Sequence, residues 1–123
     1  MKTTNWLCAV GMMGLVACGG TVAGITQKQS DAVSAAVKAT CDWYASCGEI
    51  ASGKKYADRS TCESTETDQW NGRWAVADCD GKINSSSLSA CTDAIGKITC
   101  GDSIDVFTTV NDQCAESKVC SGK

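Results

Sequence analysis

The chain has 123 residues, ten cysteines, no histidine and no proline. Its net charge of −3, with Lys54-Lys55 the only adjacent basic pair, excludes a nucleic-acid-binding surface. Without an imidazole there is no Ser-His-Asp or Cys-His arrangement, and no glycine-rich phosphate loop is present, so no enzymatic activity is expected.

Residues 1–17 read as a secretory leader. Lys2 is the only charge before Lys28, and Trp6 to Ala17 is an apolar run of twelve. Such a run is too short to span a bilayer, which needs about 20 residues. Gly11, Gly14 and the lack of a polar face argue against a buried amphipathic helix. The run ends in Leu15-Val16-Ala17-Cys18, which resembles a bacterial lipobox. That likeness implies cleavage after Ala17 and acylation of Cys18 by fatty chains such as palmitate. Each buried methylene contributes about 0.8 kcal/mol, and two or three chains make a lasting anchor. The membrane lipid is therefore the first expected partner. Without Lys2 the mature chain carries ten basic and fourteen acidic residues, so anionic headgroups add no attraction. Gly19 is not an aspartate retention signal, which favours the outer membrane of a bacterial envelope.

Residues 18–29 form the lipidated cysteine and a tether, and residues 30–123 a single domain. Cys8 leaves with the leader and Cys18 takes lipid. Eight cysteines remain: Cys41, Cys47, Cys62, Cys79, Cys91, Cys100, Cys114 and Cys120. The compartment is oxidising, so four disulfides are expected. There is no C-x-x-C and no histidine, so neither zinc nor another metal or cofactor is expected. Between Ser30 and Cys120 the chain has one Leu, one Phe and no Met. A core that thin does not offset the backbone entropy of about 1–2 kcal/mol per residue without covalent staples.

The first helix starts near Thr26 or Ser30, where Thr26-Gln27-Lys28-Gln29 fits a capping box. Val33, Ala36, Val37, Thr40, Cys41, Tyr44 and Cys47 fall within an arc of about 140°, and Gly48 stops the helix. Trp43 lies off this stripe, on an exposed face. After a loop, Ser60-Thr61-Cys62-Glu63 fits a second capping box, for a helix running to about Ala77 with Trp70 and Trp74 on one face. For a third helix Asn84 is the N-cap, and Ile83 and Leu88 are the ends of a hydrophobic staple. Leu88, Cys91, Ile95 and Ile98 share its face, and Thr99-Cys100-Gly101 closes it. Ser103 caps a fourth helix carrying Ile104, Phe107 and Val110, with one or two further turns between Asp112 and Val119. No stretch alternates as a strand. The fold expected is all-α, a small bundle of three to five short helices stapled by four disulfides.

Helix geometry limits the pairing. Cys41 and Cys47 are about 9 Å apart along a continuous helix, and Cys91 and Cys100 about 13 Å. A disulfide tolerates Cα separations of only about 4.4–6.8 Å, so neither pair can bond and the bridges tie helix to helix. Cys47 ends the first helix and Cys62 opens the second, which makes Cys47–Cys62 the best single pairing.

Few groups are candidates for chemistry. The carboxylate pairs Asp78/Asp80 and Glu63/Glu66 read as solvated surface. Asp78 to Ile83 superficially fits an EF-hand loop, but Val76 and Ser87 stand where the first ligand and the bidentate carboxylate belong. Trp43, Trp70 and Trp74 are candidates for a patch binding a glycan or an apolar ligand; the plainer reading of Trp70 and Trp74 is core, since little else can fill it.

The stretches Cys41-Asp42-Trp43-Tyr44-Ala45-Ser46-Cys47-Gly48-Glu49-Ile50, Gly53-Lys54-Lys55-Tyr56 and Cys62-Glu63, with the later cysteines, resemble a family of small cysteine-rich myxobacterial lipoproteins. The likeness runs from about Ala32 to Cys120. Its members are of unknown function and are sometimes labelled natural-product-biosynthesis lipoproteins. Two functions are thus expected. One is a non-enzymatic, membrane-anchored envelope module presenting a helical surface to an unidentified protein. The other is an accessory role in natural-product biosynthesis, binding a small apolar molecule.

Overall fold

A computed structural model describes residues 28–122. The leader, Cys8, the lipobox with Cys18, Thr26 and the tether up to Gln27 lie outside the described residues. The helices are α1 (Gln29–Ser46), α2 (Arg59–Arg73), α3 (Val76–Cys79), α4 (Ser85–Gly96), α5 (Ser103–Thr108) and α6 (Glu116–Val119). A π-turn, Thr109–Gln113, continues α5 without a break. Among the described residues there is no strand, only an isolated bridge between Ile50 and Tyr56. The fold is all-α: four helical segments and two single turns, stapled by four disulfides. Among these residues no helix is long and apolar enough to cross a membrane.

α1 is the axis of the molecule, with α2 packed on one side and α4 on the other. Two-sided packing widens its buried face beyond the arc read from periodicity. Ala32, Val33, Ala36, Val37, Thr40 and Cys41 are buried, and so is Trp43. The expectation of an exposed Trp43 is therefore corrected: its indole N–H crosses to the carbonyl of Ile98, 2.9 Å away, behind α4.

Lys28 cannot cap α1. The orphan N–H of Gln29 is instead met by the carboxylate of Asp80 at 2.9 Å, a distant substitute for an N-cap that also suits the positive end of the helix dipole. Asp80 thus has a structural use unrelated to calcium. The buried Gln29 side chain adds bonds to Asn71 Oδ1 and to the Trp74 carbonyl, at 2.9 and 2.6 Å. At the other end Gly48 takes φ +76°, while Glu49 N–H bonds the Tyr44 carbonyl and Gly48 N–H that of Ala45. This is a Schellman stop, as the glycine implied.

α2 starts one residue earlier than expected and stops four earlier. Asp58, not Ser60, is its N-cap and accepts from Thr61 N–H at 2.8 Å. Glu63 then pairs with Arg59 one turn back instead of closing a capping box. The helix ends at Arg73, and Trp74 is its C-cap. Asn84 caps α4 through Ser87 N–H, with Ile83 and Leu88 both buried as a staple requires. α4 ends at Gly96, so Ile98 joins the core from the segment beyond. Asp102 rather than Ser103 caps α5, accepting from both Ile104 and Asp105 N–H.

The disulfides are Cys41–Cys62, Cys47–Cys100, Cys79–Cys120 and Cys91–Cys114, with Cα separations of 6.0, 5.6, 4.8 and 4.8 Å. Neither excluded pair forms, and every bridge joins separate segments. The single pairing expected, Cys47–Cys62, is wrong. The loop after α1 folds back on itself through Tyr56 N–H to Glu49 O and Ala51 N–H to Tyr56 O. α2 therefore enters beside the body of α1, where Cys62 meets the fully buried Cys41. Cys47, at the C-cap, is left to hold the Cys100 turn ahead of α5.

Candidate functional site

A cleft of about 320 Å³ opens between α1, α2, the end of α4 and α5 with its π-turn. α1 contributes Thr40, Trp43 and Tyr44, and α2 contributes Glu66, Trp70 and Arg73. Ile95 and Ile98 form one wall, and Val106, Phe107 and Val110 the other. Its size falls within the ordinary range for a small-molecule site, roughly 300–1,000 Å³. A second hollow of about 310 Å³ shares Trp43, Tyr44, Ser103 and Val106 and adds Glu49 and Lys55.

The three tryptophans separate here. Trp43 and Trp70 line the cleft, whereas Trp74 is wholly buried and does not. Trp74 packs against Trp70 as a tilted pair with ring centroids 4.6 Å apart and donates its N–H to the Cys114 carbonyl at 3.0 Å. Trp70 donates to Thr40 Oγ1 at 3.2 Å. With their polar edges satisfied in the interior, Trp43 and Trp70 present carbon surface to the cleft. Tyr44 packs against Trp43 at 4.7 Å and against Tyr56 at 5.4 Å, extending the aromatic floor.

Glu66 is the residue that the sequence reading missed. It is 5 % exposed, not solvated surface, and it accepts a 2.6 Å hydrogen bond from Tyr56 Oη. Its signal was present in the sequence: Cys62, Glu66 and Trp70 recur every fourth residue, on the face of α2 that meets the core. Glu63, by contrast, is exposed and paired with Arg59. Burial, and then the carboxylates of Glu66 and Glu49, push the Tyr44 hydroxyl up to about 12. Burial and then the bond to Glu66 push Tyr56 upward as well. Both phenols stay neutral through the physiological range.

Two cations already lie over this aromatic surface. Arg73 sits over Trp70, 5.7 Å from the ring centroid, and donates to Asn111 Oδ1. Lys55 sits 5.3 Å from the Tyr44 centroid and 5.5 Å from that of Tyr56. Beside the cleft α5 leaves Ile104 and Phe107 77 % and 69 % exposed. They form an apolar ridge instead of the inward face that a fourth bundle helix would use.

All eight cysteines between residues 28 and 122 are held in disulfides, which leaves none of them as a thiolate ligand. Among the described residues no three His, Cys, Asp or Glu side chains gather as a metal site. A model described as a family of unknown function (DUF6184) matches residues 41–122, a span containing all eight paired cysteines. No curated protein and no solved structure matches the chain.

Proposed function

The chain belongs to the DUF6184 family of unknown function, and from that premise we propose that it is a membrane-anchored, non-enzymatic lipoprotein of the bacterial cell envelope. It presents the face formed by α5 and the adjoining cleft to a binding partner. The observation that carries this reading is the Ile104–Phe107 ridge, exposed in a domain with so few large apolar residues that each is valuable in the core. The Cys47–Cys100 bridge fixes the turn ahead of that ridge, which lowers the entropic cost of binding. The lipobox supports the anchor, and the absence of histidine supports a binding role over a catalytic one. The cleft beside the ridge favours a second reading, an accessory lipoprotein of natural-product biosynthesis that holds a small molecule near the membrane.

Two variants of the full chain test the proposal in the producing cell. Cys18→Ser is expected to abolish incorporation of labelled palmitate and to leave an unprocessed precursor; label on that variant refutes the anchor. The double variant Ile104→Ser/Phe107→Ser alters only exposed side chains, so its stability is expected to stay within about 0.5 kcal/mol of the parent. It should nevertheless lose the adduct formed by a photo-crosslinker placed at Val106. An adduct that survives the double variant, or no adduct from the parent chain, contradicts the ridge as a binding face.

A further inference from the structure

We infer that the cleft between α1, α2 and α5 binds a small organic ammonium ion, with Glu66 as its counter-charge and Trp43, Tyr44, Trp70 and Phe107 as its aromatic frame. The inference rests on the small-molecule reading above and replaces a purely apolar ligand with a cationic one. Glu66 carries it. The side chain is buried and lines the cleft. Among the described residues its carboxylate has one hydrogen-bond donor, Tyr56, and no ion-pair partner. Burying a carboxylate is costly unless it meets an opposite charge or several donors. A protein that needed only packing here would place an apolar residue between Cys62 and Trp70.

The surroundings select the kind of cation. A metal ion needs several anionic or carbonyl oxygen ligands, and the cleft offers one carboxylate, Glu66, among rings and aliphatic side chains, the neutral Thr40, Gln69, Ser103 and Asn111, and the Arg73 guanidinium. An alkylated or primary ammonium on an apolar body meets the carboxylate at one end and carbon surface elsewhere. The faces of Trp and Tyr add a favourable electrostatic attraction to such a cation, greater the less it is exposed to water. Arg73, which also lines the cleft, already sits over Trp70 in this way, and Lys55 lies over Tyr44 and Tyr56. Neither forms an ion pair with Glu66, so the carboxylate's charge stays available within the cleft.

Choline and its neutral isostere 3,3-dimethyl-1-butanol separate charge from shape. Each is titrated into the full chain, isotopically labelled and held in a non-ionic detergent micelle, while the indole N–H resonances of Trp43 and Trp70 are followed. Choline is expected to shift both resonances saturably, with the isostere at least tenfold weaker. Glu66→Gln, which keeps an acceptor for Tyr56 and removes the charge, should weaken choline tenfold or more and leave the isostere unchanged. Phe107→Ala, an exposed truncation safe for folding, should weaken choline by a smaller factor. Equal binding of the two probes to the parent chain overturns the ammonium assignment and leaves an apolar ligand site. Binding of neither overturns the small-molecule reading altogether.

Discussion

A thiol reductant at neutral pH is expected to abolish the cooperative helical signal of this protein, while EDTA leaves it unchanged. The four bridges close sequence separations of 21, 53, 41 and 23 residues. On the chain-entropy model these are worth about 3 kcal/mol for the shortest and about 4 for the longest. A domain of this size has a net stability of about 5–15 kcal/mol, so loss of all four removes most or all of it. The interior shows why little remains. Cys41, Cys62, Cys79, Cys91 and Cys114 are themselves among the most deeply buried side chains, so the cystines are core as well as crosslinks. Circular dichroism through a thermal scan, with and without reductant, reads this directly. A sharp transition that survives full reduction contradicts it, and loss of the signal in EDTA alone returns the cysteines to a metal.

Trp74→Ala is the single substitution with the largest expected cost, about 3–5 kcal/mol. The indole packs against Trp70 and is the largest of the fully buried side chains. Its N–H satisfies the Cys114 carbonyl, next to the Cys91–Cys114 bridge. Truncation opens a cavity and leaves that carbonyl unpartnered, a further penalty of about 1–3 kcal/mol where water cannot reach it. Trp74 is also the C-cap of α2, and its own carbonyl receives Gln29, so a collapse here disturbs the start of α1. Urea unfolding measures the difference, with Phe107→Ala as a control expected within about 0.5 kcal/mol of the parent. A Trp74→Ala cost below about 1 kcal/mol would mean that the core is centred elsewhere.

Local signals were legible in the sequence where neighbours along the chain decide the outcome. The Asn84 cap, the Ile83–Leu88 staple and the Gly48 stop each depend on fewer than about six residues, and each appears as read. Asp58 and Asp102 displaced the expected caps by one or two residues because a carboxylate there reaches orphan N–H groups of the first turn, Thr61 in one helix and Ile104 and Asp105 in the other. What was hidden depends on how segments meet. Helix geometry excluded the two intra-helical pairings but could not show where the loop after α1 delivers α2, and that decides between Cys41 and Cys47 as the partner of Cys62. Trp43 looked exposed because its partner, the Ile98 carbonyl, lies 55 residues away. Glu66 looked like a solvated carboxylate although its spacing with Cys62 and Trp70 sets it on the inward face of α2. Its burial follows from the packing of α2 on α1, and its hydrogen bond from a tyrosine in the folded-back loop. The candidate site was thus half visible: the tryptophans were read, and the charge among them was not.

The intact mass of the protein extracted from cell membranes tests the proposed anchored, disulfide-stapled module most directly. A chain that begins at Cys18 and carries two or three fatty acyl chains on it is expected. With it are expected the loss of two hydrogens for each of four cystines and no uptake of an alkylating agent before reduction. A mass that retains residues 1–17, a Cys18 without lipid, or a thiol that alkylates without reduction would contradict it.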